Sequence, residues 1–366
     1  MRAAVLEQPA RPLQIRHDVV VDEPHVGEVL VRVSHCGVCH SDLSLVDGQL
    51  PPTTPVVLGH EASGVVEALG PGVTTLAVGD HVVLTPCPPC GHCYWCLRGE
   101  FSTCVSSQAM MTSTHADGGT RLRRGDETIY RGLGVAAFAE QVVIQENGAV
   151  RIDPTVALDV ACVIGCAVQT GVGAALHTAG LRPGDTALVM GLGGIGLSIV
   201  QGARLAGAAV IIASDPVAER RYAAARLGAT QVIDPLADDV AALVMDLTAG
   251  IGIDVAFDAV GSTALVQTGL AVTRTGGTTV MVGVPPLDQQ LVIELPTVMA
   301  ATAKRLVGCL LGGVNSLRDI PRLVSLWQAG SLDLESLVSR HRPLDEINEA
   351  FDDLRLSRGI RTVIDL

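Results

Sequence analysis

The chain is poor in aromatic residues: four Phe, three Tyr and two Trp make up 2% of its 366 positions. Val, Leu, Ile and Ala must therefore fill any core. Positive charge is also short. Twenty-five Lys and Arg face 38 Asp and Glu, giving a net charge of −13. A surface of that sign repels phosphates, which argues against a nucleic-acid partner, and no basic run suits an anionic membrane surface. No stretch reaches the roughly 18 uninterrupted apolar residues of a membrane span. The opening "MRAAVLEQPARPLQIR" lacks the apolar centre of a signal peptide. These absences predict a cytoplasmic chain. In a reducing compartment, clustered cysteines favour metal binding over disulfides.

Hydrophobic residues make up 48% of the chain, and its length suggests two domains. Residues 1–165 read as mostly β. "VGEVLVRVSHCGV", "SGVVEALG", "DHVVLTP" and "RGLGVAAFAEQVVI" are β-rich runs broken by Gly, Pro and Asp. Between Cys104 and Phe138 the polar stretch with Gly118, Gly119, Arg121, Arg123 and Arg124 reads as an exposed excursion. The texture changes near Cys162. "VACVIGCAVQTGVGAALHTAG" has small residues at helical spacing, and strands then alternate with helices from "TALVMG" to "GTTVMVGV". That alternation predicts a parallel sheet covered on both faces. From about Lys304 the pattern loosens into helical segments and a final strand, "GIRTVIDL".

Gly191-Leu192-Gly193-Gly194-Ile195-Gly196 fits G-x-G-x-x-G after a strand and at the start of a helix. Glycines there allow a tight turn, close approach to a pyrophosphate and close helix–strand packing. The helix start faces the negative charge. Asp215 ends the next strand, nineteen residues after Gly196. A carboxylate there binds ribose hydroxyls and repels a 2′-phosphate, which predicts NAD over NADP. It could also cap the helix ahead of Pro216. Arg220 and Arg221, one turn on, could hold a 2′-phosphate or lie on a solvated helix face.

Five of the ten cysteines fall between Cys87 and Cys104. Cys90, Cys93, Cys96 and Cys104 read C-x2-C-x2-C-x7-C, four thiolates that close a tetrahedral zinc shell and leave no position for substrate. Such a site is structural, and Cys87 reads as a bystander. A reactive zinc needs fewer protein ligands and one open position. Cys39 in "GVCHSD", His60 in "LGHE" and Cys166 in "IGC" offer donors, but no spacing rule joins them. Each alone reads as readily as a buried thiol or a satisfied histidine.

Taken in order, "GVCHSD", the "GHE" segment, the four-cysteine lobe, "IGC", "GLGGIG", the following Asp and "GIRT" resemble the zinc-dependent medium-chain alcohol dehydrogenases along the whole chain. The resemblance implies an α/β protein: a Rossmann doubly wound parallel sheet over 167–310, and a mostly β GroES-like catalytic domain over 1–166 and 311–366, with the zinc lobe at 87–104. It also implies a reactive zinc on Cys39, His60 and Cys166, and a structural zinc on Cys90, Cys93, Cys96 and Cys104. Glu61 resembles an acid near the metal, and Asp42 the carboxylate that orients the histidine ligand. Ser41 matches the hydroxyl that takes the alcohol proton. His40 and Arg361 match contacts to the cofactor pyrophosphate. The implied reaction passes hydride from a primary alcohol, aliphatic or aromatic, to NAD. Pro86, Leu133 and Leu311 are expected apolar pocket walls. A homo-oligomer is implied, most simply a dimer pairing a strand near "QLVIEL".

One departure concerns the proton relay. Many relatives end it at a histidine five residues after the ligand cysteine, where this chain has Ser44. A formaldehyde dehydrogenase that acts on a thiol adduct is the alternative enzyme. Its usual arginine after the lobe is missing from residues 105–113. A zinc-free reductase of the same superfamily would lack the lobe. A non-catalytic zinc-ribbon interaction protein would lack the cofactor turn.

Overall fold

The computed structural model describes the chain from Met1 to Leu366, apart from the side chains of residues 108 and 109, which fall within the 105–113 run. The chain divides into two compact units, Met1–Ala167 with Asn315–Leu366, and Val168–Val314.

The first unit is built around the long strand Glu28–Gly37. Val29, Val31 and Val33 alternate inward while Arg32 stays outside, as period-2 patterning requires. One side of the strand pairs with Glu61–Leu69, which continues to His81–Leu84 and Ala149–Arg151. The other side is shared. Gln141–Gln145 pairs with its first half and Arg361–Asp365 with its end, and the latter leads on to Val338–Pro343. The C-terminal strand is thus an interior member of the sheet. In the core of this unit Phe138 and Phe351 meet edge to face at 6.0 Å among aliphatic side chains.

The second unit is an all-parallel sheet. Its order is Gln231–Ile233, Val210–Ser214, Thr186–Met190, Ile253–Asp258, Thr273–Met281, Arg305–Gly308. The direction of progression reverses at Thr186–Met190, and the crevice beyond the carboxyl ends of strands at such a switch point is where doubly wound sheets bind ligands. Helices Gly194–Leu205, Ala218–Leu227, Val240–Leu247 and Thr263–Val272 form the crossovers.

One expectation is corrected. The polar stretch after Cys104 is no exposed excursion. It carries strands Leu122–Arg124 and Glu127–Thr128, and Arg121, Arg131, His115 and Ile129 are buried. Arg121 makes two hydrogen bonds to Glu28, at 2.9 and 2.8 Å, and one to Asp117 at 2.6 Å, so its charge is neutralised inside. The "QLVIEL" run lies outside this chain's own sheet, whose edge is Arg305–Gly308, and Val292 and Leu295 are exposed. Among the described residues, no single helix is long and apolar enough to cross a membrane.

Candidate active site and metal centres

Cys39, His60 and Cys166 come together. Their ligand atoms lie within 4.8 Å of one another, and all three residues are buried. Different local structures deliver them. Cys39 is the extended residue that starts helix His40–Val46. His60 immediately precedes strand Glu61–Leu69. Cys166 breaks a helical run: its backbone, at φ −138° and ψ −74°, separates the turn Cys162–Gly165 from helix Ala167–Gly173.

Asp42 ties two of these donors to each other. It is fully buried and accepts the N–H of Gly59 at 3.0 Å, the N–H of Cys39 at 3.3 Å and Nδ1 of His60 at 3.1 Å. That bond assigns the ring hydrogen to Nδ1 and leaves the Nε2 lone pair for a metal. Gly59 has φ +89°, and a Cβ there would run into the Phe138 ring, so glycine is required. Hydrogen bonding from Cys166 holds the Cys39 thiol well below its usual range against the effect of burial, with His60 and Arg361 contributing.

Glu61 is also fully buried. One carboxylate oxygen accepts the Ala167 N–H at 2.8 Å. The other lies 3.1 Å from Nε of Arg361 but out of line, so it has no hydrogen-bond donor. Burial pushes this carboxyl up to about 7, with Arg361 acting the other way. Arg361 is itself buried and donates to the Val38 carbonyl at 2.8 Å. Ser41 is half-buried with Oγ 3.9 Å from Cys39 Sγ, and His40 is exposed. Two sulfurs and one imidazole nitrogen fit zinc with a position left open, and do not fit magnesium or calcium, which take oxygen ligands.

Cys90, Cys93, Cys96 and Cys104 converge in the same way. Cys104 Sγ accepts the N–H groups of Cys90 at 3.2 Å and Ser106 at 3.4 Å. Backbone N–H groups of Cys96 and Val105 bring the Cys93 thiol down to about 6. Donors aimed at sulfur favour thiolates, and four thiolates close a zinc shell. Cys87 lies outside the converging set. It is buried, and desolvation raises its thiol to about 12.

In the second unit, Gly191 takes φ +88° and Gly193 starts helix Gly194–Leu205, with Ile195 half-buried in its first turn. A Cβ on Gly196 would collide with the Gly191 carbonyl, whereas one on Gly193 would meet nothing within 4 Å. The turn is therefore packed from behind and open in front. Asp215 is buried and accepts the N–H of Leu192 at 2.7 Å and of Val217 at 2.8 Å, so it braces the turn as well as the next helix. Arg220 is not on a solvated face. It is buried with Nη1 4.0 Å from Asp215. Arg221 donates to the carbonyls of Asp215 and Pro216 and pairs with Asp234.

Of the expected pocket walls, Pro86 is buried in the first unit and Leu133 half-buried at φ +50°, while Leu311 is buried in the second unit at φ +47°. The ionic cluster of Glu28, His115, Asp117 and Arg121 had no local signal, because Glu28 reads as an outward position of a β run.

Two family models cover most of the chain. One described as "Alcohol dehydrogenase GroES-like domain" matches residues 25–154, and one described as "Zinc-binding dehydrogenase" matches residues 194–328. The chain is 40% identical to an NDMA-dependent alcohol dehydrogenase of Amycolatopsis methanolica over 365 residues, 99% of this chain and 98% of that one. It is 38% identical to an S-(hydroxymethyl)glutathione dehydrogenase of Escherichia coli, with 99% of each chain covered. The crystal structure of benzyl alcohol dehydrogenase from Acinetobacter calcoaceticus superimposes with a TM-score of 0.93 at 31% identity, covering 100% of this chain and 99% of that one. The fold thus joins a GroES-like unit to a Rossmann unit. By its domains, its relatives and a metal centre of matching donors, the chain belongs to the zinc-dependent medium-chain alcohol dehydrogenases.

Proposed function

We propose that this alcohol dehydrogenase converts a primary aliphatic or aromatic alcohol to its aldehyde, reversibly, with NAD as hydride acceptor. The observation that carries the reading is the buried convergence of Cys39, His60 and Cys166 with Asp42 behind them. A zinc ion held there would supply a Lewis acid that makes a bound alcohol easier to deprotonate. Ser41 would receive the proton, with Glu61 and Arg361 balancing charge behind the donors. NAD would rest on the turn Gly191–Gly196, with Asp215 at the adenosine ribose and His40, Arg220 and Arg361 near its phosphates and ribose; the bound cofactor supplies the hydride acceptor. A second zinc would be held by the four-cysteine lobe. Support for an aromatic substrate comes from the benzyl alcohol dehydrogenase relative. A homodimer in the cytoplasm completes the proposal, and the ten free cysteines suit a reducing compartment.

The likeness to S-(hydroxymethyl)glutathione dehydrogenase favours one second reading, oxidation of a formaldehyde–thiol adduct. The test is a panel of alcohols, including benzyl alcohol and ethanol, assayed with NAD, NADP and NDMA, beside formaldehyde with and without glutathione. Reduction of NAD by a primary alcohol in a sample with two zinc per chain is expected. Turnover confined to formaldehyde plus glutathione would install the second reading. Turnover with NDMA but no accumulation of free NADH would overturn the role of NAD as a dissociating acceptor.

A further inference from the structure

Asp258 ends strand Ile253–Asp258, beside Met190 at the end of Thr186–Met190, and is fully buried. Its carboxylate accepts the N–H groups of Val260 at 2.9 Å, Gly261 at 3.1 Å and Ser262 at 2.9 Å. These donors lead into helix Thr263–Val272, whose start would otherwise attract an anion. The protein's own carboxylate fills that place. The backbone locks the same corner: the Asp258 carbonyl accepts from Val282 and Gly283, and Ala259 N–H donates to the Met190 carbonyl at 2.9 Å.

The loop so held lies against the glycine turn. The Val260 side chain occupies the space a Cβ on Gly191 would need, and Ala259 Cβ lies 3.6 Å from where a Gly196 Cβ would be. Two helix starts therefore lie side by side beyond the carboxyl ends of these two central strands. One is sealed from within; the other, at Gly193, is open. Burial raises the Asp258 carboxyl while the three N–H groups oppose it, so the donors select the ionised form that burial resists.

We infer that Asp258 is a positioning residue for the cofactor: it clamps loop 259–262 onto the glycine turn and closes the neighbouring helix start, so that the dinucleotide phosphates have one seat. The inference rests on the NAD reading above. Asp258 touches neither substrate nor cofactor and acts through Val260 and Ala259.

The experiment compares wild type, Asp258→Asn and Asp258→Ala as full-length, zinc-loaded proteins. NADH binding is followed by fluorescence titration, with kcat and KM for NAD measured in parallel. Losing charged hydrogen bonds predicts an NADH Kd about tenfold higher in Asp258→Asn. KM for NAD rises with it, while kcat at saturating NAD and zinc content stay near wild type. In Asp258→Ala, added formate restores affinity by refilling the vacated carboxylate site. Unchanged Kd in folded Asp258→Asn, or a fall in kcat at constant KM, would overturn the inference. Asn is isosteric, so it decides the matter even if Asp258→Ala does not fold. Absence of NADH binding by the wild type would remove the NAD reading and this inference together. Wild-type binding matched by both variants would remove the inference alone.

Discussion

Asp42 divides two oxygens among three donors, and in doing so it fixes both the histidine tautomer and the backbone that presents Cys39. Ser44, on the same short helix, shows what a single residue can withhold. Its hydroxyl has no basicity near neutral pH, so in the proposed relay a proton passed to Ser41 would leave through water. The rate should rise with pH. A Ser44→His variant should turn over faster below pH 7, because imidazole titrates in that range. Superimposable pH–rate profiles for the two proteins would refute the role. His115 makes a different kind of prediction. Burial, helped by Arg131 and Arg121 and opposed by Asp117, drives its ring down to about 2; Glu28 Oε1 lies 3.1 Å from Nδ1, and His25 sits beside Asp117. The unfolded chain takes up this proton near pH 6.5 and the folded chain does not. Stability from this residue is therefore complete above that pH and falls as pH drops toward 2, by about 2 kcal/mol at pH 5. His115→Gln should lose less stability than wild type between pH 7.5 and pH 5 in urea unfolding. An equal loss in both would show that the ring titrates normally.

At the scale of elements, what could be read in the sequence was what is local. The glycine turn declares itself because strand, turn and helix start are contiguous, and the structure shows Gly196 closed against Gly191 and Gly193 open. The cysteine lobe declares itself because four donors within one loop have few other uses. The β-rich run that holds Val29, Val31 and Val33 announced a strand. Cys39, His60 and Cys166 could not be joined by spacing, since the chain between them folds as independent strands and turns; only the likeness to a family put them at one metal. The break at Cys166 was invisible for the same reason: small residues continue the helical spacing straight through it, and the kink is set by tertiary packing. One misreading has another cause. Arg121 looks like a solvated charge until Glu28, 93 positions away, is placed beside it.

At the scale of the molecule, the scarcity of aromatics becomes a probe. Both tryptophans, Trp95 in the cysteine lobe and Trp327 on helix Ser316–Gln328, belong to the first unit, and Val168–Val314 contains none. Trp327 Nε1 is fixed by the Glu335 carboxylate at 2.9 and 3.0 Å, so it reports on that unit's fold, while Trp95 reports on the lobe. Both zinc sites draw their ligands from the first unit, and the glycine turn lies in the second. A ligand that binds only folded protein stabilises the unit that supplies its contacts, by about 2.7 kcal/mol at a hundredfold excess over Kd. Stripping zinc with a chelator should therefore lower the tryptophan-reported thermal midpoint by at least several degrees, since about 1 kcal/mol moves a unit of this size by about 2–4 °C. Saturating NADH should raise the midpoint seen by far-UV circular dichroism, which registers the tryptophan-free unit too. A tryptophan midpoint indifferent to the chelator, in protein shown by metal analysis to have lost both ions, would mean that the seven ligand residues hold their geometry without metal, and the assignment of zinc to the stability of the first unit would be wrong.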